Sequence, residues 1–136
     1  MSTHFNDIEA ALDIRLGTLA GSPTIERFNL PFTSDATENY LRPTFLPAET
    51  VQACFGDLGQ DLTNGIYQVD VFHLRGKGRS SQPDVIADHF KRGTILTYNG
   101  VNIRVISASI EPSFTEDNFM ITPVSIRWQV FTSPRA

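Results

Sequence analysis

The sequence predicts an α+β fold, in which a mostly antiparallel β-sheet or sandwich carries two packed helices. Three observations indicate this fold: an apolar repeat at helical spacing in residues 5–19, several strand-length segments with alternating apolar residues, and an Asn-Gly pair between two of those segments. A chain of 136 residues has the usual length of one domain, so we expect a single domain over residues 1–136.

The first element is predicted to be an amphipathic helix. Thr3 is a suitable N-cap, and Asp7 lies early, where the helix dipole favours an anion. Gly21, followed by Pro23, is expected to end the helix. The apolar residues recur at steps of three and four, which predicts one face packed on a sheet: Phe5, Ile8, Leu12, Leu16 and Leu19.

The segment up to residue 55 is predicted to hold short strands and a polar loop. Residues 24–28 favour a short strand, and residues 40–46 and 49–55 favour two more. Pro43 cannot donate a ladder hydrogen bond, so its strand is expected at an edge or a bulge. Residues 29–39 are polar and turn-like, which indicates either a flexible surface loop or a segment that orders against a neighbouring subunit or partner.

The strand predicted over residues 65–74 has two different faces. Tyr67, Val69 and Val71 share the face that we expect in the core. The other face is mixed and is expected to meet solvent or a neighbour; it carries Ile66, Gln68, Asp70 and Phe72.

The rest of the chain is predicted to contain one helix, one hairpin and a long final strand. Pro83 suits the first turn of a helix over residues 83–92, and Gly93 is expected to end it. The pair Asn99-Gly100 predicts a tight hairpin turn. Residues 111–118 allow the same two interpretations as the earlier polar loop. The final strand places one set of residues on a single face: Met120, Thr122, Val124, Ile126, Trp128 and Val130.

Charge is distributed unevenly along the chain, whose net charge is −4. Residues 1–70 contain three basic and ten acidic residues, whereas residues 71–92 contain five basic and two acidic residues. An acidic body with one basic loop argues against broad DNA binding, which requires many cationic contacts to phosphate. It is compatible with charge-complementary docking to a protein partner.

Cys54 is the single cysteine, so we expect no internal disulfide and a chain that folds in a reducing compartment. No apolar run approaches the length needed to span a bilayer, and the N-terminus lacks the pattern of a signal peptide. We therefore expect a soluble protein that is intracellular when made, with no membrane partner.

Few residues suggest catalysis or metal binding. His4, His73 and His89 lie in separate elements with no ligand at metal-site spacing, so we expect no metal, although His73 and His89 could approach each other. Asp84 and Asp88 are one helical turn apart; they form either a pair for acid–base chemistry or, as we expect, an ordinary solvated helix face.

The glycine-rich loop between the central strand and the second helix is basic. It contains Arg75, Lys77 and Arg79 but lacks the Gly-Lys-Ser/Thr ending of a phosphate-binding loop. Its glycines are better interpreted as giving freedom to an exposed loop that offers three cations to a partner. No cofactor or catalytic residue is predicted.

Several of these segments together resemble the tail terminator proteins of long-tailed bacteriophages. The resemblance rests on Gly65-Ile-Tyr-Gln-Val-Asp-Val-Phe, the glycine-bearing loop, a helix with Ala87-Asp88 and Phe90, the Asn99-Gly100 turn and the closing Pro123-Val-Ser-Ile-Arg-Trp128. It covers residues 3–21 and 65–130 best and residues 29–62 poorly. These are patterns of strand and turn rather than catalytic signatures.

The resemblance implies a structural virion protein that forms a hexameric ring in the phage tail. Such a ring sits on the last ring of tail tube protein, stops tube polymerisation and offers its other face to neck or head-completion proteins. DNA would pass through the lumen without sequence recognition. The chain would be made in the host bacterial cytoplasm and end in the virion, and the family has no catalytic residues to carry over.

Two loops are the candidate contact sites under this interpretation. The first is the basic loop of Arg75, Lys77 and Arg79; the second is the polar loop, represented by Asn29, Asp35 and Glu38. Three alternatives stay open. The chain could be another neck, head–tail connector or tube-like virion protein. It could be a small-ligand domain or enzyme with a pocket where His73, His89 and Asp88 converge. It could also be a nucleic-acid-binding module.

Overall fold

A computed structural model of the chain describes residues 4–19, 25, 39–52, 61–76, 81–116 and 118–132. Within them the chain forms two helices and six strands. The helices are α1 (His4–Gly17) and α2 (Gln82–His89). The strands are β1 (Tyr40–Gln52), β2 (Asp61–Leu74), β3 (Ile95–Tyr98), β4 (Val101–Ile110), β5 (Phe114–Glu116) and β6 (Phe119–Thr132).

The six strands form one antiparallel sheet in the order β1-β2-β6-β4-β3, with β5 paired to β6 beyond the end of β4. The long strands β2 and β6 lie at the centre and pair without interruption from Asp61↔Thr132 to Leu74↔Phe119. Strand β1 lies at one edge, which confirms the position that Pro43 predicted. The α+β fold class predicted from the sequence is therefore confirmed.

Both helices pack on the same face of this sheet and enclose the main core. Tyr67, Val69 and Val71 on β2 point toward the helices, as their alternation predicted. The predicted apolar stripe of α1 is also confirmed, since Ile8, Leu12, Leu16 and Leu19 are buried and Phe5 packs against them. The opposite face of the sheet, called the outer face below, is covered by neither helix.

The hydroxyl of Tyr67 ties the sheet to α1. This side chain is 1% exposed, and its O–H donates a hydrogen bond to Asp13 Oδ1 over 2.5 Å. The hydroxyl of a tyrosine whose ring lies in the core thereby gains a hydrogen-bond partner on the helix that packs over the sheet.

The turn Asn99-Gly100 joins β3 to β4 as predicted. Asn99 has φ +50° and Gly100 has φ +78°, the left-handed values that a two-residue hairpin turn of this type requires. Asn99 Nδ2 also donates to Asp7 Oδ1 over 3.1 Å, so the turn is fastened to the first turn of α1.

The two helices cap each other at their C-terminal ends. Arg15 donates from Nε and Nη2 to the His89 carbonyl oxygen, over 3.1 Å and 2.9 Å. His89 Nε2 in turn donates to the Arg15 carbonyl oxygen over 2.8 Å. Carbonyl groups in the last turn of a helix lack partners within the helix, so each helix supplies donors for the other.

Some predicted boundaries are corrected. Helix α1 ends at Gly17, one turn before the predicted stop at Gly21, although Leu19 stays buried through a turn in which its N–H donates to the Leu16 carbonyl. The strands predicted separately over residues 40–46 and 49–55 are one strand, β1, as far as Gln52, with a register shift between Pro47 and Thr50. Residues 53–55 lie outside the described part of the chain. The irregularity lies where the two predicted strands were separated, and a bulge there lets one strand continue.

Two further segments differ from the sequence-based expectation. Residues 111–118 were predicted to be either a surface loop or a segment ordered by a partner, but they contain β5, which pairs with β6. Of the short strand predicted over residues 24–28, the structure describes Ile25, which forms an isolated parallel bridge to Leu41. Thr3, Gly21, Pro23 and Cys54 lie outside the described residues.

Candidate assembly surfaces

The histidines and carboxylates that could form an active site do not come together. His89 donates to the Arg15 carbonyl, so its ring acts in helix capping. His73 and Asp84 line an open depression of about 420 Å³ beside the start of α2, and neither His89 nor Asp88 lines it. Across the part of the chain that the structure describes, no group of three or more His, Cys, Asp or Glu residues is arranged to hold a metal ion.

The predicted contact loops are only partly within the described residues. Arg75 is exposed just beyond β2, and its backbone N–H donates to the Asn118 carbonyl over 2.8 Å. Gly76 follows with φ +82°, a left-handed conformation that favours glycine. The other predicted contact residues lie outside the described part of the chain: Lys77, Arg79, Asn29, Asp35 and Glu38.

One end of the outer face is closed by aromatic packing. Tyr40 stacks on Phe72 with ring centroids 4.3 Å apart, and Phe119 meets both rings edge-on. Ile121 completes this buried cluster. The guanidinium of Arg42 lies 4.6 Å from the Phe72 ring centroid, a cation–π contact that covers the aromatic group.

The other end of the outer face contains an apolar depression. It has a volume of about 320 Å³, and three of its lining side chains, Leu46, Ile66 and Ile106, come from three different strands. Leu46 is 45% exposed and Ile106 is 37% exposed, so the depression presents apolar surface to its surroundings. We call it the outer depression.

Two arginines flank the outer depression. Arg127 lines it, and Arg104 lies on β4 opposite Gln129, another lining residue. Both arginines are exposed on the outer face. Arg104 pairs with Gln129, and Arg127 pairs with Ser107 on the far side of the bulge in β4, so the two arginines lie near each other on neighbouring strands.

Helix α2 carries an exposed patch of the opposite charge. Asp84, Val85 and Asp88 are exposed, whereas Pro83 and Ile86 are buried against the sheet. At about 100° per residue these three side chains occupy one continuous arc of the helix. We call this patch the α2 stripe; it has one apolar residue beside two carboxylates.

A carboxyl group on α1 has a perturbed pKa. Burial raises the pKa of Glu9 above its ordinary value, and the nearby negative charge of Asp13 adds to the rise. Asp13 lies one helical turn after Glu9, and a hydrogen bond from the Tyr67 hydroxyl holds the Asp13 carboxylate in place. The raised pKa of Glu9 therefore follows from the packing of α1 on the sheet.

The outer depression was not predicted from the sequence, although one signal pointed toward it. The mixed face of β2, with Ile66, was expected to meet either solvent or a neighbour. The depression also needs the bulge in β4, where the register shifts between Val105 and Ser107 and Ile106 has no partner across the ladder. A bulge of this kind leaves no clear pattern in a single sequence.

The fold and the exposed surfaces indicate the class of protein to which the chain belongs. The chain is a small α+β protein with a curled sheet, two helices on one face and uncovered apolar surface on the other, as in proteins that work through surface contacts.

The family follows from a comparison with known proteins. Residues 7–128 match the model of a family described as phage tail terminator protein, and the chain belongs to that family. The resemblance predicted from the sequence is therefore confirmed, and the chain is a structural protein of a phage tail.

A solved structure supports the assignment of the fold. It is 27% identical to this chain, the match covers 99% of both chains, and the two superpose with a TM-score of 0.71. No curated protein matches the sequence. No helix among the described residues is long and apolar enough to cross a membrane.

Proposed function

We propose that this protein forms a ring that caps the phage tail tube, stops tube polymerisation and provides the surface to which neck or head-completion proteins join. The observation that carries the proposal is the family match over residues 7–128. The resemblance identified from the sequence implies that the ring is hexameric and belongs to the virion.

The arrangement of surfaces is consistent with a ring. The outer depression and the α2 stripe lie on opposite faces of the sheet, so a contact between copies that uses both joins unlike surfaces. A contact between unlike surfaces closes into a ring when its rotation closes, and otherwise grows into a filament. Termination then needs one ring face that binds the tube and another that does not accept further tube subunits.

The predicted contact loops belong to this proposal. Arg75, Lys77 and Arg79 would dock on a partner through charge complementarity, and the loop with Asn29, Asp35 and Glu38 would meet the tube or a neighbouring subunit. DNA would pass through the lumen without sequence-specific binding. The net charge of −4 is compatible with this passage because an acidic ring holds DNA weakly.

A tube-growth experiment tests the proposal. Purified tail tube protein is polymerised with and without this protein, and tube lengths and ends are recorded by electron microscopy, while light scattering gives the mass of the free protein. We expect tubes that stop growing with a ring at one end. Incorporation along the tube would instead indicate a tube-like protein. Rings that bind only neck proteins would indicate a connector.

A further inference from the structure

We infer that the α2 stripe of one subunit docks into the outer depression of the next subunit, with Asp84 and Asp88 facing Arg127 and Arg104. The inference rests on the proposed ring and specifies which two surfaces make the contact between subunits. The occupant of the depression is thus a second copy of this chain.

Charge and chemistry of the two surfaces are complementary. The depression offers apolar side chains from three strands beside two exposed arginines. The stripe offers exposed Val85 beside two exposed aspartates. Arginine pairs well with carboxylates through its planar set of donors, and an apolar centre with a charged rim is typical of protein–protein contacts.

The spacing of the charges also agrees. Asp84 and Asp88 are one turn apart, which places their Cβ atoms at about 5–6 Å. Arg104 and Arg127 lie on the neighbouring strands β4 and β6, on the same face, with Arg127 two residues along β6 from the partner of Arg104. Arginine side chains are long and flexible, so each can reach one of the two carboxylates.

The position of the two surfaces makes the contact repeat. Helix α2 packs on β4 and β6, and the depression is lined by residues of the same two strands on their other face. A subunit that receives a neighbour's stripe on its outer face therefore presents its own stripe on the helix side, where the next subunit can bind it. Because one such contact joins two different surfaces, repeating it builds a ring rather than a twofold dimer.

A charge exchange tests the pairing. One variant carries Asp84→Lys and Asp88→Lys, the other carries Arg104→Glu and Arg127→Glu, and Lys91→Glu with Arg92→Glu serves as the control. Lys91 and Arg92 are exposed and lie just beyond α2, outside the stripe. Circular dichroism checks that each variant folds. Light scattering measures the mass of the assembly under the condition in which the unmodified chain assembles, either alone or in the presence of tail tubes.

We expect each double variant alone to fall to the mass of one subunit, 15.1 kDa, and the control to assemble like the unmodified chain. An equal mixture of the two variants should regain the full mass, because lysine stripes then meet glutamate depressions while the unaltered surfaces still pair. Alternation around an even-numbered ring permits this.

Other results would overturn the pairing. Normal assembly of either folded variant alone, or failure of the mixture of two folded variants, would exclude these surfaces while leaving the ring in place. If one variant does not fold, normal assembly of the other alone still excludes the contact. An unmodified chain that never assembles, even on tail tubes, would remove the proposed ring and this contact with it.

Discussion

The indole of Trp128 occupies the space that a side chain at Gly65 would need. A Cβ atom built at Gly65 would lie 2.7 Å from Trp128 Cζ2 and 2.5 Å from the Leu46 carbonyl oxygen. The two residues are direct partners in the β2–β6 ladder, and the ring of Phe45 stacks on the indole at 5.4 Å. Glycine at this position therefore permits a large ring to approach the backbone of the neighbouring strand closely.

The first prediction concerns Gly65→Ala. Backbone atoms of β1 cannot yield as a flexible side chain does, so we expect a loss of about 1–3 kcal/mol in the free energy of unfolding. Urea denaturation measures it, with Ser109→Ala on exposed β4 as the control. A loss of free energy no larger than that of the control would show that β1 and Trp128 can move away from the new methyl group without destabilising the fold.

The second prediction concerns Trp128→Ala. Trp128 is 1% exposed, so its removal leaves a large cavity between β2, β6 and Phe45, and we expect a loss of about 3–5 kcal/mol. Trp128→Phe should lose less, because Trp128 Nε1 has no hydrogen-bond partner among the described residues. A melting temperature within a degree or two of the unmodified protein's would mean that the ring is not in the core.

The third prediction concerns the pH dependence of stability at Glu9. Because folding raises the pKa of this carboxyl, the folded chain binds more protons, and ionisation of Glu9 destabilises the fold. This cost is absent below the unfolded pKa of about 4.3 and grows as pH rises through the raised folded pKa.

The gain in the free energy of unfolding that Glu9→Gln produces should therefore be larger at pH 7 than at pH 4. Denaturation curves at both pH values measure this change, and Glu116→Gln, at an exposed position, controls for net charge. An equal difference at both pH values would contradict the assigned burial of Glu9.

The fourth prediction concerns the basic loop. We expect Arg75→Glu with Lys77→Glu to leave the melting temperature unchanged and to impair tail assembly, because a cationic contact becomes repulsive. A complementation assay that counts infectious particles measures assembly, and Arg75→Lys, which keeps the charge, is the control. Unchanged complementation by the folded double variant would remove this loop from the contact sites.

The sequence predicted elements where local chemistry decides structure. The turn at Asn99-Gly100, the start of α2 near Pro83 and the edge position of Pro43 each follow from backbone properties of single residues. The alternation of Tyr67, Val69 and Val71 likewise identified the buried face of β2.

What could not be predicted depends on contacts between distant residues. The end of α1 near Gly17 coincides with capping by His89, which is 74 positions away from Arg15 in the chain. The outer depression combines three strands and a bulge whose register exists only after the sheet has formed. Single-sequence patterns report neighbours in the chain, and these features are made by neighbours in space.

The mutual capping of α1 and α2 has a mechanical consequence. Pulling α2 away from the sheet would break the Arg15 and His89 hydrogen bonds together. The His89 carbonyl would lose the Arg15 guanidinium, and the Arg15 carbonyl would keep only the donors of Thr18. Helix α1 is itself fastened to the β3–β4 turn through Asp7 and Asn99. Force applied to α2 is therefore shared across the helical layer and into the far edge of the sheet, so the helical layer yields as a unit rather than one helix at a time.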